Sequence, residues 1–247
     1  MEKISVTIIT KDEEQLIEDC LKSVSWADEI VVVDSGSKDT TLKITKKYTE
    51  KIFFNEWKGF AAQKDYALSQ TKNDWVLSID ADERVSDELK KEIEYIDFSK
   101  FDGYLIPREN YFFKKHITTC GWGRDRQLRL FRKSKTKLTD RLVHEGFDVD
   151  GNIGNLKNPI IHFTFNSIEK TISKINQYST LEATEKYKTK KKITGRMILT
   201  HGVSSFLRAF VSLRGYKDGV HGLMISIIDS ITTFLTYMKM WELQNKD

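Results

Sequence analysis

The sequence contains few cysteines: among its 247 residues only Cys20 and Cys120 carry a thiol. The two lie far apart in the chain, with neither the short paired spacing of a zinc site nor the density of a disulfide framework. Cys20 falls on the apolar side of a predicted helix, where a free thiol packs like a small hydrophobic side chain. The cysteine content therefore excludes disulfide-stapled and zinc-ribbon folds.

A strong excess of charge of one sign is also missing. Lysine and arginine total 40 and aspartate and glutamate total 36, which gives a formal net charge of +4. This excess is too small to indicate a nucleic-acid partner. With 39% hydrophobic and 31% charged residues, the chain has the composition of a polar soluble protein that is long enough for one large domain with an appendage.

Long hydrophobic segments are the third absence. No uninterrupted apolar run approaches the roughly eighteen residues that a membrane-spanning helix needs. The first four residues lead directly into a predicted strand, without the pattern of a signal peptide. We therefore expect a cytoplasmic protein, and peripheral contact with the inner face of the cytoplasmic membrane stays open.

What the first hundred residues do contain is an alternation of strand and helix patterns. Strands are predicted at residues 4–9, 29–34, 51–54 and 75–79, where β-branched and aromatic residues dominate. Helices are predicted after Thr10 or Asp12 as N-cap, from the turn at 35–41 to about Tyr48, and at residues 60–69. A further helix is expected after the cap residue Ser86. This order predicts an α/β protein whose sheet has helices on both faces.

Polar side chains stand where three of these strands end: Thr10, Asp34 and the pair Asp80 and Asp82. The carboxyl ends of parallel strands share one edge of a sheet, and ligands bind there. In an extended chain the two aspartates would point to the same side, and such carboxylates repel unless a proton or cation lies between them. The pair predicts a divalent-cation site, and an acidic turn before a capped helix is the alternative.

The turn after the first strand, residues 10–14, has no glycine and carries three acids. It matches neither the dinucleotide fingerprint nor the phosphate-binding loop. The phosphates of a bound nucleotide must therefore be neutralised elsewhere. A metal ion on Asp80 and Asp82 is the natural candidate, and Lys64 and the arginines within residues 124–132 could assist it.

The second half of the chain is less specific. His162 lies inside an apolar strand pattern, which fits a buried structural histidine or a metal ligand. The basic run 186–192 precedes two amphipathic segments, 197–213 and 223–243. These predict either attachment to a membrane surface or packing on the catalytic domain or in a homo-oligomer. Nucleic-acid binding is not expected, because aromatic stacking positions are sparse there.

Taken together, these motifs resemble glycosyltransferase family 2, of the GT-A fold, and within it the lipopolysaccharide-core β-glucosyltransferase group. The similarity covers nearly the whole chain. The segments that carry it are residues 8–14, 33–41, 59–64, 78–83, 127–132, 143–145 and 215–222.

The resemblance implies an inverting, metal-dependent transfer of a hexose from a nucleotide-diphosphate sugar, with UDP as the expected nucleotide. The residues it places at the donor nucleotide are Thr10, Glu14, Asp34, Lys64 and Asp80. Lys64 stands where the family often has arginine, so the charge is kept and the bidentate fork is lost. The residues it assigns to Mg²⁺ or Mn²⁺ are Asp82, Asp80 and His162.

A general base must also take the proton of the acceptor hydroxyl. Glu145 is the predicted base, because it lies in a polar turn beside His144; Glu83 and Asp125 are rival candidates. The expected domains are a GT-A catalytic domain at 1–165, with a nucleotide-sugar half of about 1–100 and an acceptor half of about 101–165. A helical extension at 166–247 would contact a membrane or a second subunit.

The expected acceptor is a cell-envelope glycolipid such as the lipopolysaccharide core. Alternatives in the same class are a protein, a capsule or a lipid-linked oligosaccharide. A sugar-phosphate nucleotidyltransferase is disfavoured, because no glycine-rich basic loop follows the first strand. A non-catalytic nucleotide-sugar sensor or a membrane adaptor is the alternative of another class.

Overall fold

The computed structural model of the chain describes residues 2–138, 146–165, 167–188 and 192–246. The described residues form two compact units. The first contains 2–108, 126–138 and 146–162, and the second contains 109–125 and the described residues from 163 onward. The predicted domain boundary at residue 165 stays a prediction, because a compact unit is not by itself an independently folding domain.

The described residues contain short and long strands in both units. In chain order they are β1 (Ile4–Thr10), β2 (Glu29–Asp34), β3 (Ile52–Phe54), β4 (Trp75–Asp80), β5 (Glu83–Val85), β6 (Gly103–Phe112), β7 (Lys115–Ile117), β8 (Arg126–Arg132), β9 (Thr136–Leu138), β10 (Phe147–Val149), β11 (Ile153–Asn155) and β12 (Ile160–Phe165).

Helices separate the early strands and make up the C-terminal segment. They are α1 (Ile17–Ser23), α2 (Thr41–Thr45), α3 (Phe60–Ser69), α4 (Asp87–Tyr95), α5 (Ile168–Tyr187), α6 (Gly195–Leu207) and α7 (Val220–Gln244). A π-helical turn at Arg208–Ser212 and a 3₁₀ turn at Gly215–Asp218 join α6 to α7.

The sheet of the first unit is mixed. Strands β3, β2, β1 and β4 lie side by side in that order and run parallel. Strand β8 then pairs with β4 in the antiparallel sense, and β6 pairs with β8 in the same way. Strand β11 adds to β6 in parallel, and residues 160–162 of β12 pair with β5 in the antiparallel sense.

Two apolar layers hold this sheet, one on each face. Every residue of β1 and β2 is buried, as expected for strands covered on both sides. Val6 and Val32 belong to a cluster with Leu21 of α1, whereas Val31 packs in a separate cluster with Ala67 of α3. Each fully buried aliphatic side chain contributes about 1.5–3 kcal/mol. The predicted placement of helices on both faces is confirmed.

Several local predictions hold and others are wrong. Helix α3 has the predicted bounds, and Ser86 Oγ accepts a hydrogen bond from Leu89 N at 3.1 Å, so it caps α4 as expected. The predicted cap of α1 is wrong, because that helix begins only at Ile17 and has no side-chain cap. Helix α2 ends at Thr45 rather than near Tyr48. Strand β5 is absent from the predictions.

The second unit contains the end of β6 from Glu109 onward, strand β7 and the three C-terminal helices. Helix α7 packs against α5 and α6. Lys239 of α7 links this helix to α5, because its Nζ donates hydrogen bonds to Ser179 Oγ at 2.8 Å and to Thr180 Oγ1 at 2.8 Å. By length and composition alone α7 is long and apolar enough to cross a membrane. The sequence does not show α7 as one uninterrupted apolar run, because Asp229 and several hydroxyl residues divide it.

Candidate active site

The carboxyl ends of three parallel strands meet at one edge of the sheet. In the register of the sheet Thr10 lies opposite Asp34 of β2, and Ile9 lies opposite Asp80 of β4. The predicted edge therefore exists, and it brings residues from three separate parts of the chain to one place.

Hydrogen bonds join the two loops at this edge. Asp12 N donates to Ser37 Oγ at 2.9 Å, and Lys38 N donates to Asp12 Oδ1 at 2.7 Å. Thr40 Oγ1 donates to Glu14 Oε2 at 2.7 Å. Asp12 and Glu14 thus serve as acceptors that fix the loop after β2. This role explains why the turn after β1 is acidic. The predicted contact of Glu14 with the nucleoside stays a prediction.

Asp34 shapes the turn that follows it. Its Oδ2 accepts hydrogen bonds from Gly36 N at 2.8 Å and from Ser37 N at 2.9 Å, and its Oδ1 accepts one from Ser37 Oγ. Gly36 has φ +91°, a conformation that favours glycine. The carboxylate is therefore held rigidly at the edge, and its predicted contact with uracil or ribose is untested.

The Thr10 hydroxyl is buried and has no hydrogen-bond partner among the described residues. Leaving a buried polar group unsatisfied costs about 1–3 kcal/mol. A hydrogen bond with a ligand or an ordered water would remove that cost. Thr10 is thus a residue of this edge whose chemistry favours an added polar partner.

A buried charge cluster surrounds Asp80. Arg129 Nη2 lies 2.9 Å from Asp80 Oδ2 and 2.7 Å from Glu83 Oε1, and Lys64 Nζ lies 3.5 Å from Asp80 Oδ1. Asp80 N donates to Glu83 Oε2 at 2.9 Å. Arg108 Nη1 lies 3.4 Å from Glu83 Oε1. Two carboxylates and three cations therefore form one network, with Glu83 fully buried at its centre.

The cluster keeps Asp80 ionised. Burial opposes ionisation, but the Lys64 ammonium and the Arg129 guanidinium outweigh it and hold the pKa of the Asp80 carboxyl far below its usual range. Burial likewise disfavours the charged guanidinium, yet Glu83 and Asp80 raise the pKa of Arg129. The charge of Asp80 is balanced by protein cations, so repulsion from Asp82 does not by itself demand a metal ion.

The placement of Arg129 corrects one expectation from sequence. The arginines within residues 124–132 are expected to help neutralise phosphate, but Arg129 is only 3% exposed and pairs with carboxylates of the protein. The two residues that follow it on the strand, Leu130 and Phe131, are fully buried. That apolar setting is the signal that could have indicated an inward-facing, paired arginine.

Asp82 lies outside strand β4, which ends at Asp80. Ala81 and Asp82 form a turn, so the strand alternation that was expected to point both aspartates the same way does not extend to Asp82. The Asp82 side chain instead approaches His162, with 3.5 Å between Oδ2 and Nε2. Strand pairing explains the meeting, because His162 lies opposite Glu83 in the β12–β5 register.

A carboxylate and an imidazole are suitable ligands for a divalent transition metal. Among the described residues, no group of three or more His, Cys, Asp or Glu side chains is placed to hold a metal ion. Asp82 and His162 therefore fit a site that takes its remaining ligands from substrate oxygens or water, as Mg²⁺ commonly does. The pair also fits a structural contact, so the ligand role of His162 stays a prediction.

The predicted base Glu145 lies outside the described residues, which resume at Gly146. Its rival Glu83 is fully buried and bonded to Arg129 and to Asp80 N. A carboxylate so enclosed cannot reach an acceptor hydroxyl, so the structure argues against Glu83 as base. The other rival, Asp125, belongs to the second unit.

The strand order, with four parallel strands followed by antiparallel ones, is that of the GT-A fold. The family model "Glycosyl transferase family 2" matches residues 5–160. An uncharacterized glycosyltransferase of Rickettsia typhi is 36% identical over all of this chain and 89% of its own length. The lipopolysaccharide core biosynthesis glycosyltransferase LpsC of Rhizobium meliloti is 29% identical over 97% of this chain and 92% of its own length.

Solved structures agree on the fold. The crystal structure of Staphylococcus aureus TarS 1–349 in complex with UDP-GlcNAc is similar to 99% of this chain, over 91% of its own length. The TM-score is 0.51 at 16% sequence identity. This chain therefore belongs to glycosyltransferase family 2 and is a glycosyltransferase.

Proposed function

We propose that this chain is an inverting, metal-dependent hexosyltransferase. It would transfer a hexose from a UDP-linked sugar to a cell-envelope glycolipid such as the lipopolysaccharide core. The observation that carries the proposal is the approach of His162 to Asp82 beside Asp80, at the edge where β1, β2 and β4 end. The similarity to LpsC over nearly the whole chain supports the acceptor class.

The nucleotide would lie on the edge formed by the joined loops. Thr10, Glu14 and Asp34 would contact the nucleoside, because they sit at or just after the ends of β1 and β2. Asp80 would accept a hydrogen bond from the ribose or bind the metal. Lys64 would lie near the diphosphate, where its ammonium adds positive charge without the directional fork of an arginine.

The residues that would hold Mg²⁺ or Mn²⁺ are Asp82 and His162, with Asp80 close by. When bound, the metal supplies Lewis-acid stabilisation of the charge that develops on the leaving diphosphate. The protein itself fixes the orientation of the Asp80 carboxylate beside this metal site. Arg129 Nη2 donates to Asp80 Oδ2, and the backbone N–H of Asp80 donates to Glu83 Oε2, so Asp80 is held from both sides.

Transfer would proceed by a single displacement. Glu145 would take the proton of the acceptor hydroxyl as it attacks the anomeric carbon, and the carboxylate never bonds to the sugar. The anomeric centre inverts because the nucleophile enters opposite the leaving diphosphate. The enzyme would act in the cytoplasm, at the inner face of the cytoplasmic membrane where a glycolipid acceptor is presented.

Calorimetric titration of UDP with and without Mn²⁺, together with a donor-consumption assay, tests this proposal. Asp82→Ala and His162→Ala should each weaken metal-dependent UDP binding about 10-fold or more and lower turnover by a larger factor. Glu88→Ala is the matched control, since Glu88 is an exposed acid on α4. If the Asp82→Ala enzyme keeps the Mn²⁺ dependence of the wild type, the metal assignment is wrong.

The same assay tests the base. Glu145→Gln should leave UDP affinity unchanged while transfer falls about 100-fold or more, because only proton removal is lost. Loss of both binding and transfer would indicate a structural role instead. A non-catalytic sensor is distinguished by a wild-type chain that binds UDP yet consumes no nucleotide sugar with any glycolipid, capsule, lipid-linked or protein acceptor.

A further inference from the structure

Exposed apolar side chains are concentrated on the C-terminal helices of the second unit. Val220 is 68% exposed, Leu199 60%, Val211 55% and Leu207 50%. We call the following set the apolar surface: Leu199, Val203, Leu207, Val211, Tyr216, Val220, Leu223, Ile227, Ile231 and Met238. Large exposed apolar side chains grouped on one part of a protein mark a surface that binds another molecule or a membrane.

The two helices that carry the apolar surface run antiparallel. At one end Ile193 N, just before α6, donates to Oε1 of Gln244 at the end of α7, at 2.6 Å. Further along, Ser230 Oγ of α7 donates to the Gly202 carbonyl of α6 at 2.8 Å. A Cβ at Gly202 would meet the Phe234 ring at 2.4 Å, so the helices touch closely along this line.

Two apolar stripes, Leu199, Val203 and Leu207 on α6 and Leu223, Ile227 and Ile231 on α7, lie on the same side of the line along which the two helices touch. Val203 follows Gly202, and Ile231 follows Ser230, so each stripe is rotated about 100° from the contact in the same sense. In antiparallel helices equal rotation from the contact turns both stripes to one face. Leu199 and Leu207 flank Val203 at intervals of four residues, the spacing that keeps side chains on one helical face.

Positive charge accompanies the apolar surface. Residues 192–217, which include α6 and the π-helical turn after it, contain five cations and no aspartate or glutamate, and the 3₁₀ turn that follows ends in the buried Asp218. These cations are all exposed: Lys192, Arg196, Arg208, Arg214 and Lys217. An apolar face bordered by exposed basic side chains is the composition that binds anionic membrane surfaces.

A second copy of the chain suits this surface poorly. A two-fold interface places the same patch on both partners, so the exposed cations of one copy would face a partner patch that carries the same excess of positive charge. Insertion across a bilayer is also disfavoured. On its opposite side α7 bonds to polar groups of α5, where Thr236 Oγ1 donates to Glu182 and Lys239 donates to Ser179.

We propose that the apolar surface and its basic border dock this glycosyltransferase on an anionic phospholipid bilayer. The α6 and α7 stripes enter the interface between headgroups and acyl chains, and Arg196 and Lys217 contact lipid phosphates. The helices lie on the membrane without crossing it. The apolar surface belongs to the second unit and the candidate donor residues to the first, and the test of docking does not require the transfer reaction proposed above.

Co-sedimentation of the full chain with extruded vesicles tests the docking. Wild type should bind vesicles of phosphatidylcholine with 30% phosphatidylglycerol, and 0.5 M salt should release it. The double variant Val203→Glu, Leu207→Glu should bind at least about 10-fold more weakly, since charge replaces buried apolar area. Tyr95→Glu on α4 is the matched control, because Tyr95 is 87% exposed and lies outside the apolar surface.

A second variant guards against misfolding. Arg196→Gln with Lys217→Gln changes only exposed cations, and should lower binding to the anionic vesicles about 25-fold, at about fivefold per cation. Its circular dichroism should match wild type. Equal binding of wild type to purely zwitterionic vesicles, or retention after alkaline carbonate extraction, would overturn the proposal. So would sedimentation velocity showing a dimer that the double Glu variant dissociates while vesicle binding persists.

Discussion

The buried network around Glu83 yields a quantitative prediction for Glu83→Gln. Glu83 is fully buried and accepts hydrogen bonds from Asp80 N at 2.9 Å and Arg129 Nη2 at 2.7 Å. Arg108 also approaches it, at 3.4 Å. The glutamine has nearly the same shape, so the substitution removes the charge and replaces one acceptor oxygen by a donor.

The expected cost follows from the two contacts. Breaking a buried ion pair by removal of one partner costs about 3–5 kcal/mol. The amide oxygen keeps one of the two short hydrogen bonds, and Asp80 still faces Arg129 at 2.9 Å. We therefore expect the free energy of unfolding to fall by about 2–4 kcal/mol, a large part of the roughly 5–15 kcal/mol typical of a folded protein.

Equilibrium unfolding in urea, followed by circular dichroism, measures this cost. Arg129→Met should also destabilise, since it leaves two buried carboxylates with less positive charge between them. The double variant should cost at least about 1 kcal/mol less than the sum of the single changes, because the two residues share one interaction. Lys100→Met is the control: its exposed pair with Asp97 should contribute at most about 0.5 kcal/mol.

The affinity for UDP is a second quantity that can be measured on the same variants. If Glu83 and Arg129 orient Asp80 for the donor, UDP affinity should fall in variants that remain folded under assay conditions, while the control stays at wild-type affinity. A loss of less than about 1 kcal/mol for Glu83→Gln, or strict additivity with Arg129→Met, would refute the view that this network is a single buried unit.

Two further predictions concern the second unit. Burial raises the pKa of Asp229 from 3.8 to about 6, and Arg208 opposes this rise. Ionisation of Asp229 therefore destabilises the fold fully above pH 6 and not at all below pH 3.8. Asp229→Asn should raise the free energy of unfolding at pH 7.5 by about 1–3 kcal/mol, and an equal gain at pH 4 would contradict this. Gly222→Ala would place a Cβ 1.9 Å from the Gly215 carbonyl oxygen and should cost about 1–3 kcal/mol or more by thermal unfolding, whereas Gly195→Ala, with no atom within 4 Å of its Cβ, should be tolerated.

The fold of the first hundred residues could be predicted because its signals are local. Runs such as Ile30 to Val33 are β-branched throughout, and only a strand covered on both faces accommodates them. The polar residues that end these runs could be placed on one edge because parallel strands share a direction. Thr10, Asp34 and Asp80 indeed end neighbouring strands.

Features that depend on distant pairing could not be predicted in the same way. The inward position of Arg129 depends on β8 pairing with β4 in the antiparallel sense, which no spacing within the chain specifies. The meeting of His162 with Asp82 depends on β12 pairing with β5, a strand absent from the predictions. Helix α1 starts late because Asp12 and Glu14 bond to the neighbouring loop instead of capping it.

The two aspartates that looked equivalent in sequence have different surroundings, and this difference suggests different chemistry. Asp80 is enclosed by Arg129 and Lys64, so a second cation there would add repulsion to a charge that is already balanced. Asp82, in the turn beyond the strand, faces His162, whose imidazole can offer a nitrogen lone pair to a metal ion. A divalent ion therefore gains more at Asp82, and Asp80 is better suited to accept a hydrogen bond from a ribose hydroxyl.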